Sequence, residues 1–196
     1  LFIYEAAGDD MYRQTWIGKI EASNAHHLAA GDLGFDDIPE FAVGGQSASS
    51  QFDIPEQHWI FVIFKSVGDN SFEAVWTQRI RKAQSGGNGL AIADAANHGF
   101  NQLAIAVWPN FYLIEYTGAG YMPIWHHSAS STFRPIVADV DKDGQNELMF
   151  NDADTFTVFG ASTDRNSLTT PWGVAAIPIN ATSIRLEWQD FPNDSY

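Results

Sequence analysis

The sequence predicts an all-β chain built from antiparallel units that repeat. Three observations point there. The apolar runs have strand length: the longest, Trp59-Ile60-Phe61-Val62-Ile63-Phe64, is too short to cross a bilayer. Turn-forming clusters such as Gly68-Asp69-Asn70 and Thr117-Gly118-Ala119-Gly120 separate the aromatic runs. Two patterns recur along the chain, which marks a repeat architecture.

The first pattern opens the chain with Phe2-Ile3-Tyr4-Glu5, a turn at Gly8-Asp9-Asp10 and a return strand reaching Trp16. The second follows: Leu28-Ala29-Ala30-Gly31, an Asp-led turn from Asp32, and a strand through Phe41-Ala42-Val43. The first then returns as Trp59 to Phe64, the turn at Gly68, and Phe72-Glu73-Ala74-Val75-Trp76. The next pair is Leu90-Ala91-Ile92-Ala93, a turn from Asp94 and Leu103-Ala104-Ile105, then Phe111 to Tyr116, the turn at Gly118 and Tyr121 to Trp125. A third Asp-led turn lies between Pro135-Ile136-Val137-Ala138 and Leu148-Met149-Phe150, and the run Phe156-Thr157-Val158-Phe159 follows it. Asp32, Asp94 and Asp139 stand 62 and 45 residues apart; Trp16, Trp76 and Trp125 stand 60 and 49 apart. The tryptophans are read as one core position in successive units, not as a ligand cage. Each unit is about four strands in roughly 45–60 residues, the size of a β-propeller blade.

The third Asp-led turn carries the chemistry. Asp139-Val140-Asp141-Lys142-Asp143-Gly144-Gln145-Asn146-Glu147 places carboxylates at positions 1, 3, 5 and 9, with glycine at position 6. Acids so close repel one another unless a cation sits between them. Hard oxygen ligands suit calcium, which takes about six to eight of them at about 2.3–2.6 Å. Asp139, Asp141 and Asp143 are expected to give side-chain oxygens, Gln145 its backbone carbonyl and Glu147 a closing carboxylate. Gly144 permits the sharp turn. An EF-hand loop would place its bidentate acid at position 12, here Phe150, and would be flanked by helices.

On these residues the chain resembles the FG-GAP/VCBS repeat family, whose blades carry an Asp-x-Asp-x-Asp-Gly-x-x-Glu/Asp calcium loop between their first two strands. The resemblance covers about residues 1–160 and implies a partial, integrin-α-like β-propeller of four-stranded antiparallel blades. The third loop matches in full at Asp139, Asp141, Asp143, Gly144 and Glu147. The second has Ala96, His98 and Gln102 where acids are expected, so no calcium is expected there and Asn97 should not affect calcium stoichiometry. The first keeps Asp32, Asp36 and Glu40 but has Gly34 at position 3 and Asp37 in place of the glycine, an incomplete ligand set. One structural calcium ion is therefore expected. The chain enters inside a blade at Phe2, completes two (about 28–83 and 90–130) and ends with a fourth unit at Phe156 to Phe159, too few to close a ring. The remaining blades are expected from a separate segment, or neighbouring chains cover the open strand edges.

Residues 161–170 are polar and unpatterned and read as a linker. After them, Pro171-Trp172-Gly173-Val174-Ala175-Ala176, the Asn180-Ala181-Thr182-Ser183-Ile184 turn and the alternation of Ile184, Leu186 and Trp188 with Arg185 and Glu187 resemble the opening of a fibronectin type III domain. Residues 171–196 would be about the first quarter of that β-sandwich.

Composition narrows the partners. Acids outnumber bases 24 to 10, a formal charge of −14. That argues against nucleic acid or an anionic membrane, each of which needs a basic face, and it suits a calcium-binding extracellular surface. With no cysteine, disulfides and thiolate metal sites are excluded. The chain opens on Leu1 and carries no signal peptide, so it reads as a processed piece of a longer secreted or cell-surface protein. His26-His27 and His126-His127 would point to opposite faces of their strands and so make no clean two-ligand site. Gly86-Gly87-Asn88-Gly89 lacks the Lys-Ser/Thr and helix of a phosphate loop. Trp108, Tyr121 and Trp172 are read as packing residues before sugar-stacking ones. No catalytic constellation is visible, and no serine has the Gly-x-Ser-x-Gly context. The sequence favours a non-catalytic, calcium-stabilised propeller segment for adhesion to, or recognition of, an extracellular glycan or protein. Two alternatives are the propeller part of a secreted polysaccharide lyase or hydrolase, and a structural subunit of an extracellular filament or assembly.

Overall fold

The computed structural model describes residues 1–47, 58–81, 88–128, 134–152, 155–160, 175–180 and 183–187, and all regular structure among them is β-strand. Strands β1 (Phe2–Gly8) and β2 (Met11–Ile17) form a hairpin. Strands β3 (Asn24–Gly31), β4 (Glu40–Ser47), β5 (His58–Gly68) and β6 (Ser71–Arg81) form a four-stranded sheet in chain order. Strands β7 (Asn88–Ala93), β8 (Gln102–Val107), β9 (Asn110–Tyr116) and β10 (Tyr121–Ser128) form a second. Strands β11 (Ile136–Ala138), β12 (Glu147–Asp152) and β13 (Thr155–Phe159) make a three-stranded sheet, and β14 (Ala175–Asn180) pairs with β15 (Ser183–Glu187). Every pairing is antiparallel and joins consecutive strands, so each sheet is a meander. No described sheet closes on itself. The expected linker at 161–170, and Trp172 and Trp188, lie outside the described residues.

The core sits between sheets rather than inside any one of them. Along β5, Trp59, Phe61 and Ile63 join a cluster with Leu103, Ile105, Val107, Tyr112 and Ile114 of the second sheet. The intervening Ile60, Val62 and Phe64 point the other way, against Leu1, Trp16 and Ile20 at the N-terminal hairpin. The second sheet repeats this: Ala104, Ala106, Phe111 and Leu113 turn from the first cluster toward Leu148 and Phe150. Successive residues of a strand face opposite sides, so a sheet covered on both faces needs an unbroken apolar run. That is why Trp59 to Phe64 shows no polar alternation. Each fully buried Phe, Ile or Leu contributes about 1.5–3 kcal/mol.

The tryptophans occupy one register position. Trp16, Trp76 and Trp125 pair with Ile3, Ile63 and Leu113, and in each case the residue just before the tryptophan (Thr15, Val75, Ile124) is bulged out of the ladder. A bulge bends and twists its strand, and here it turns the indole onto the following sheet. Trp16 lies edge-on to Phe41, Phe64 and Phe72, with ring centroids 5.4–6.0 Å apart; Trp76 meets Tyr121 at 6.3 Å; Trp125 meets Phe159 at 5.1 Å. Where β3 and β7 converge, a Cβ on Gly31 would stand 2.6 Å from Ile92 Cγ2, so only glycine fits without displacement. Replacing Trp125 with alanine should cost about 3 kcal/mol, near the lower end for a core tryptophan. Tyr12→Ala, at a side chain 73% exposed, should cost less than about 0.5 kcal/mol. Urea denaturation midpoints at unchanged m-value measure both; equal costs would contradict the packing role of Trp125.

Candidate metal centre

Three loops join the first strand of a sheet to its second: 32–39, 94–101 and 139–146. Counted from the leading aspartate, they share one backbone. The residues at positions 4 and 6 have positive φ in all three: Phe35 and Asp37, Asn97 and Gly99, Lys142 and Gly144, with φ between 54° and 91°. The leading carboxylate fixes that shape. Asp32 accepts from the N–H groups of Phe35 (2.8 Å) and Asp37 (3.1 Å). Asp94 accepts from those of His98 (2.9 Å) and Gly99 (2.8 Å), and Asp139 from that of Gly144 (3.0 Å). These bonds offset the roughly 1–2 kcal/mol that left-handed backbone costs a residue with a Cβ.

Position 9 closes each loop from below and is buried every time, as Glu40, Gln102 and Glu147. Glu40 Oε2 accepts from the N–H groups of Leu33 (2.7 Å) and Gly34 (3.1 Å). Gln102 Oε1 accepts from Ala96 N–H (2.9 Å), and Glu147 Oε2 from Val140 N–H (2.9 Å).

Among the described residues, only the third loop gathers carboxylates that form no ion pair with a basic side chain. Asp139, Asp141 and Glu147 each offer an oxygen within 4.8 Å of the others, the two aspartates exposed and the glutamate buried. Ligands around one calcium ion can lie up to about 5 Å apart, given bonds of about 2.3–2.6 Å, so this grouping fits such an ion. Among the described residues no Lys, Arg or His forms an ion pair with these acids. Asp143 stands outside the group: its N–H donates to Asp141 Oδ1 at 3.2 Å, and its own Oδ1 accepts from Gln145 N–H at 2.8 Å. The flanks are strands β11 and β12, not helices.

The loops are latched to one another by asparagines at position 8. Asn101 Nδ2 donates to Asp32 O at 2.9 Å, and Asn146 Nδ2 to Asp94 O at 2.9 Å. Asn97 adds a second clamp: its Nδ2 donates to Asn146 O at 2.9 Å, and Asn146 N–H donates to its Oδ1 at 2.6 Å. Asn97 thus supports the third loop from the second. That role is not visible when the loops are aligned for ligands alone.

The other singled-out residues fall as follows. His126 and His127 do face opposite sides, His126 stacked on Tyr112 and His127 near Phe150 and Phe159. The first histidine pair departs from alternation. His26 is bulged out between Ala25 and His27, which leaves both rings beside Trp59, at 5.8 and 6.3 Å. Tyr121 is buried against Trp76 and Tyr116. No protein-family model and no curated protein matches the chain.

Asn97→Ala removes two hydrogen bonds to the third loop, each worth about 1 kcal/mol. The unfolding free energy should fall by about 2 kcal/mol, measured by urea denaturation. An unchanged midpoint would show that the clamp contributes nothing.

Proposed function

We propose that this chain is a non-catalytic, calcium-stabilised segment of a β-propeller, and that its role is adhesion to, or recognition of, an extracellular glycan or protein. The observation that carries the reading is the group formed by Asp139, Asp141 and Glu147, drawn together with no ion pair to a basic side chain among the described residues. Consecutive antiparallel meanders packed face to face support the blade assignment, and so do tryptophans on the outer strands that reach the next sheet. The match of the third loop to the FG-GAP/VCBS pattern supports calcium over a smaller ion, because magnesium demands stricter octahedral geometry and gives up its waters reluctantly.

Asp139, Asp141 and Glu147 would hold the ion, with Asp143 and the Gln145 carbonyl completing the oxygen set. The cation would offset most of the loop's negative charge and compensate the buried Glu147 carboxylate. Its role is structural. The loop itself supplies shape: Asp139 holds Gly144, Glu147 holds Val140, and Asn97 holds Asn146.

The partners in this reading are the remaining blades and an external ligand. Among the described residues β1 pairs only with β2, and Phe2, Tyr4, Met11 and Tyr12 of that hairpin are exposed. Further strands, from another segment or another chain, would cover that edge. The β14–β15 hairpin is proposed as the first two strands of a fibronectin type III module. Secretion or display at the cell surface is part of the same proposal, in which the site would have the weak affinity of extracellular modules, with a dissociation constant of about 10⁻⁴–10⁻³ M.

At a calcium concentration about 100-fold above its dissociation constant, the folded state should gain about 2.7 kcal/mol over the chelated protein. The melting temperature in calcium against chelator measures it, with magnesium as the weaker control. Asp141→Ala should abolish most of the calcium response. An unchanged melting curve in the native protein would refute the metal assignment. The recognition role is tested on the intact parent protein: it should be retained on a glycan or protein partner without turnover, and depolymerisation of a polysaccharide would overturn it.

A further inference from the structure

The first loop already has a cation among its acids. Lys65, on β5, is ion-paired with Asp36, and its Nζ lies 3.1 Å from Glu40 Oε1. The Glu40 side chain is wholly buried. Its Oε2 is held by two backbone N–H groups; its Oε1 accepts no directed hydrogen bond and has the Lys65 ammonium as its counter-charge. Position 3, which is Asp141 in the third loop, is Gly34 here. A Cβ on Gly34 would stand 2.9 Å from Glu40 Oε1 and 3.1 Å from Lys65 Nζ. The ammonium therefore crowds the space that a third-position side chain would need. The missing ligand and the lysine are two sides of one exchange.

Sheet register makes the comparison across loops direct. One residue beyond the cross-strand pairs Phe41–Phe64, Leu103–Ile114 and Leu148–Phe159, the residues facing position 9 are Lys65, Glu115 and Gly160. The first loop, with a buried acid at position 9, has a cation opposite. The second has neutral Gln102 at position 9 and an acid opposite. There Glu115 Oε2 accepts from Gln102 Nε2 at 2.8 Å and lies 3.3 Å from His98 Nδ1. The third has a buried acid and, opposite it, a residue with no side chain. The hydrogen bond between Lys65 and Asp36 holds the lysine above its ordinary pKa and the aspartate below its own, so both stay charged across the neutral range.

We infer that the Lys65 ammonium is the resident cation of the first loop, seated where the third loop takes its metal ion, and that the residue facing position 9 decides which loops of this scaffold depend on metal. The inference rests on reading the third loop as a cation site, so the test removes that loop from the measurement. In an Asp141→Ala background, little of the calcium response of the melting temperature should remain, and each variant is compared with that baseline. Adding Gly34→Asp and Lys65→Gly copies the third loop into the first; this variant should bind one calcium ion per chain by titration calorimetry and melt several degrees higher in calcium than in chelator. Gly34→Asp with Lys65 retained should show no such response. A calcium response with the lysine present, or none after its removal, would overturn the inference. Should the copied loop fail to fold, Lys65→Met in the same background serves: it should melt lower than its parent in chelator, with part of the loss recovered in calcium, and an unchanged melting temperature would refute the role of Lys65. None of these outcomes depends on whether the native third loop binds calcium, which the unsubstituted protein reports separately.

Discussion

A buried polar side chain at the ninth position of each loop is the constraint on which the arrangement turns. Glu40, Gln102 and Glu147 sit where the second strand of a sheet begins, out of water and beneath the loop they close. Burial strips hydration from a polar side chain, and a backbone N–H returns only part of that, so further partners are favourable there. Each loop meets this demand differently. Glu40 has the Lys65 ammonium. Gln102 carries no charge and satisfies its amide with Ala96, Phe100 and Glu115. Glu147 shares its pocket with Asp139 and Asp141, which adds negative charge instead of cancelling it. The proposed calcium ion would supply the balancing charge for that group.

The backbone survives these substitutions because its shape is set by bonds that no ion makes. The leading aspartate and the position-9 side chain between them hold N–H groups at both ends of every loop. Positive φ at positions 4 and 6 is kept whether the residue is glycine, phenylalanine, asparagine, lysine or aspartate. A loop that has lost its acids can therefore persist as a turn with no metal chemistry, and the inferred exchange at position 3 and on the facing strand would alter its electrostatics without remaking its backbone.

Much of this was legible in the sequence, and the reason is periodicity. The Asp-led turns and the recurring tryptophans are local patterns, and local patterns place strands and turns well. The spacing of Asp139, Asp141, Asp143 and Glu147 also suggested a carboxylate cluster, of which Asp139, Asp141 and Glu147 meet while Asp143 stands apart. What stayed hidden depends on register. Lys65 and Glu115 are far in sequence from the loops they face and are brought there by strand pairing alone. The bulges at Thr15, Val75 and Ile124 leave no sign in composition, although they aim the tryptophans. The bulge at His26 defeats simple alternation for the same reason. Asn97 gives no ligand signal in the sequence, and its partners are the backbone atoms of another loop.

Those asparagine contacts give the third loop a meaning beyond its own sheet. Asn101 ties the second loop to Asp32 of the first, and Asn146 ties the third to Asp94 of the second. The latches run in one direction, each loop holding the leading residue of the loop before it. In this series the third loop is the one whose clustered acids form no ion pair with a basic side chain among the described residues. Repulsion among Asp139, Asp141 and Glu147 would strain the segment that carries Asn146, and with it the clamp to Asn97. A cation in that pocket would then do more than quiet one turn. It would set the loop from which the contact between the second and third sheets is held, while the first loop keeps its own place with the lysine it carries.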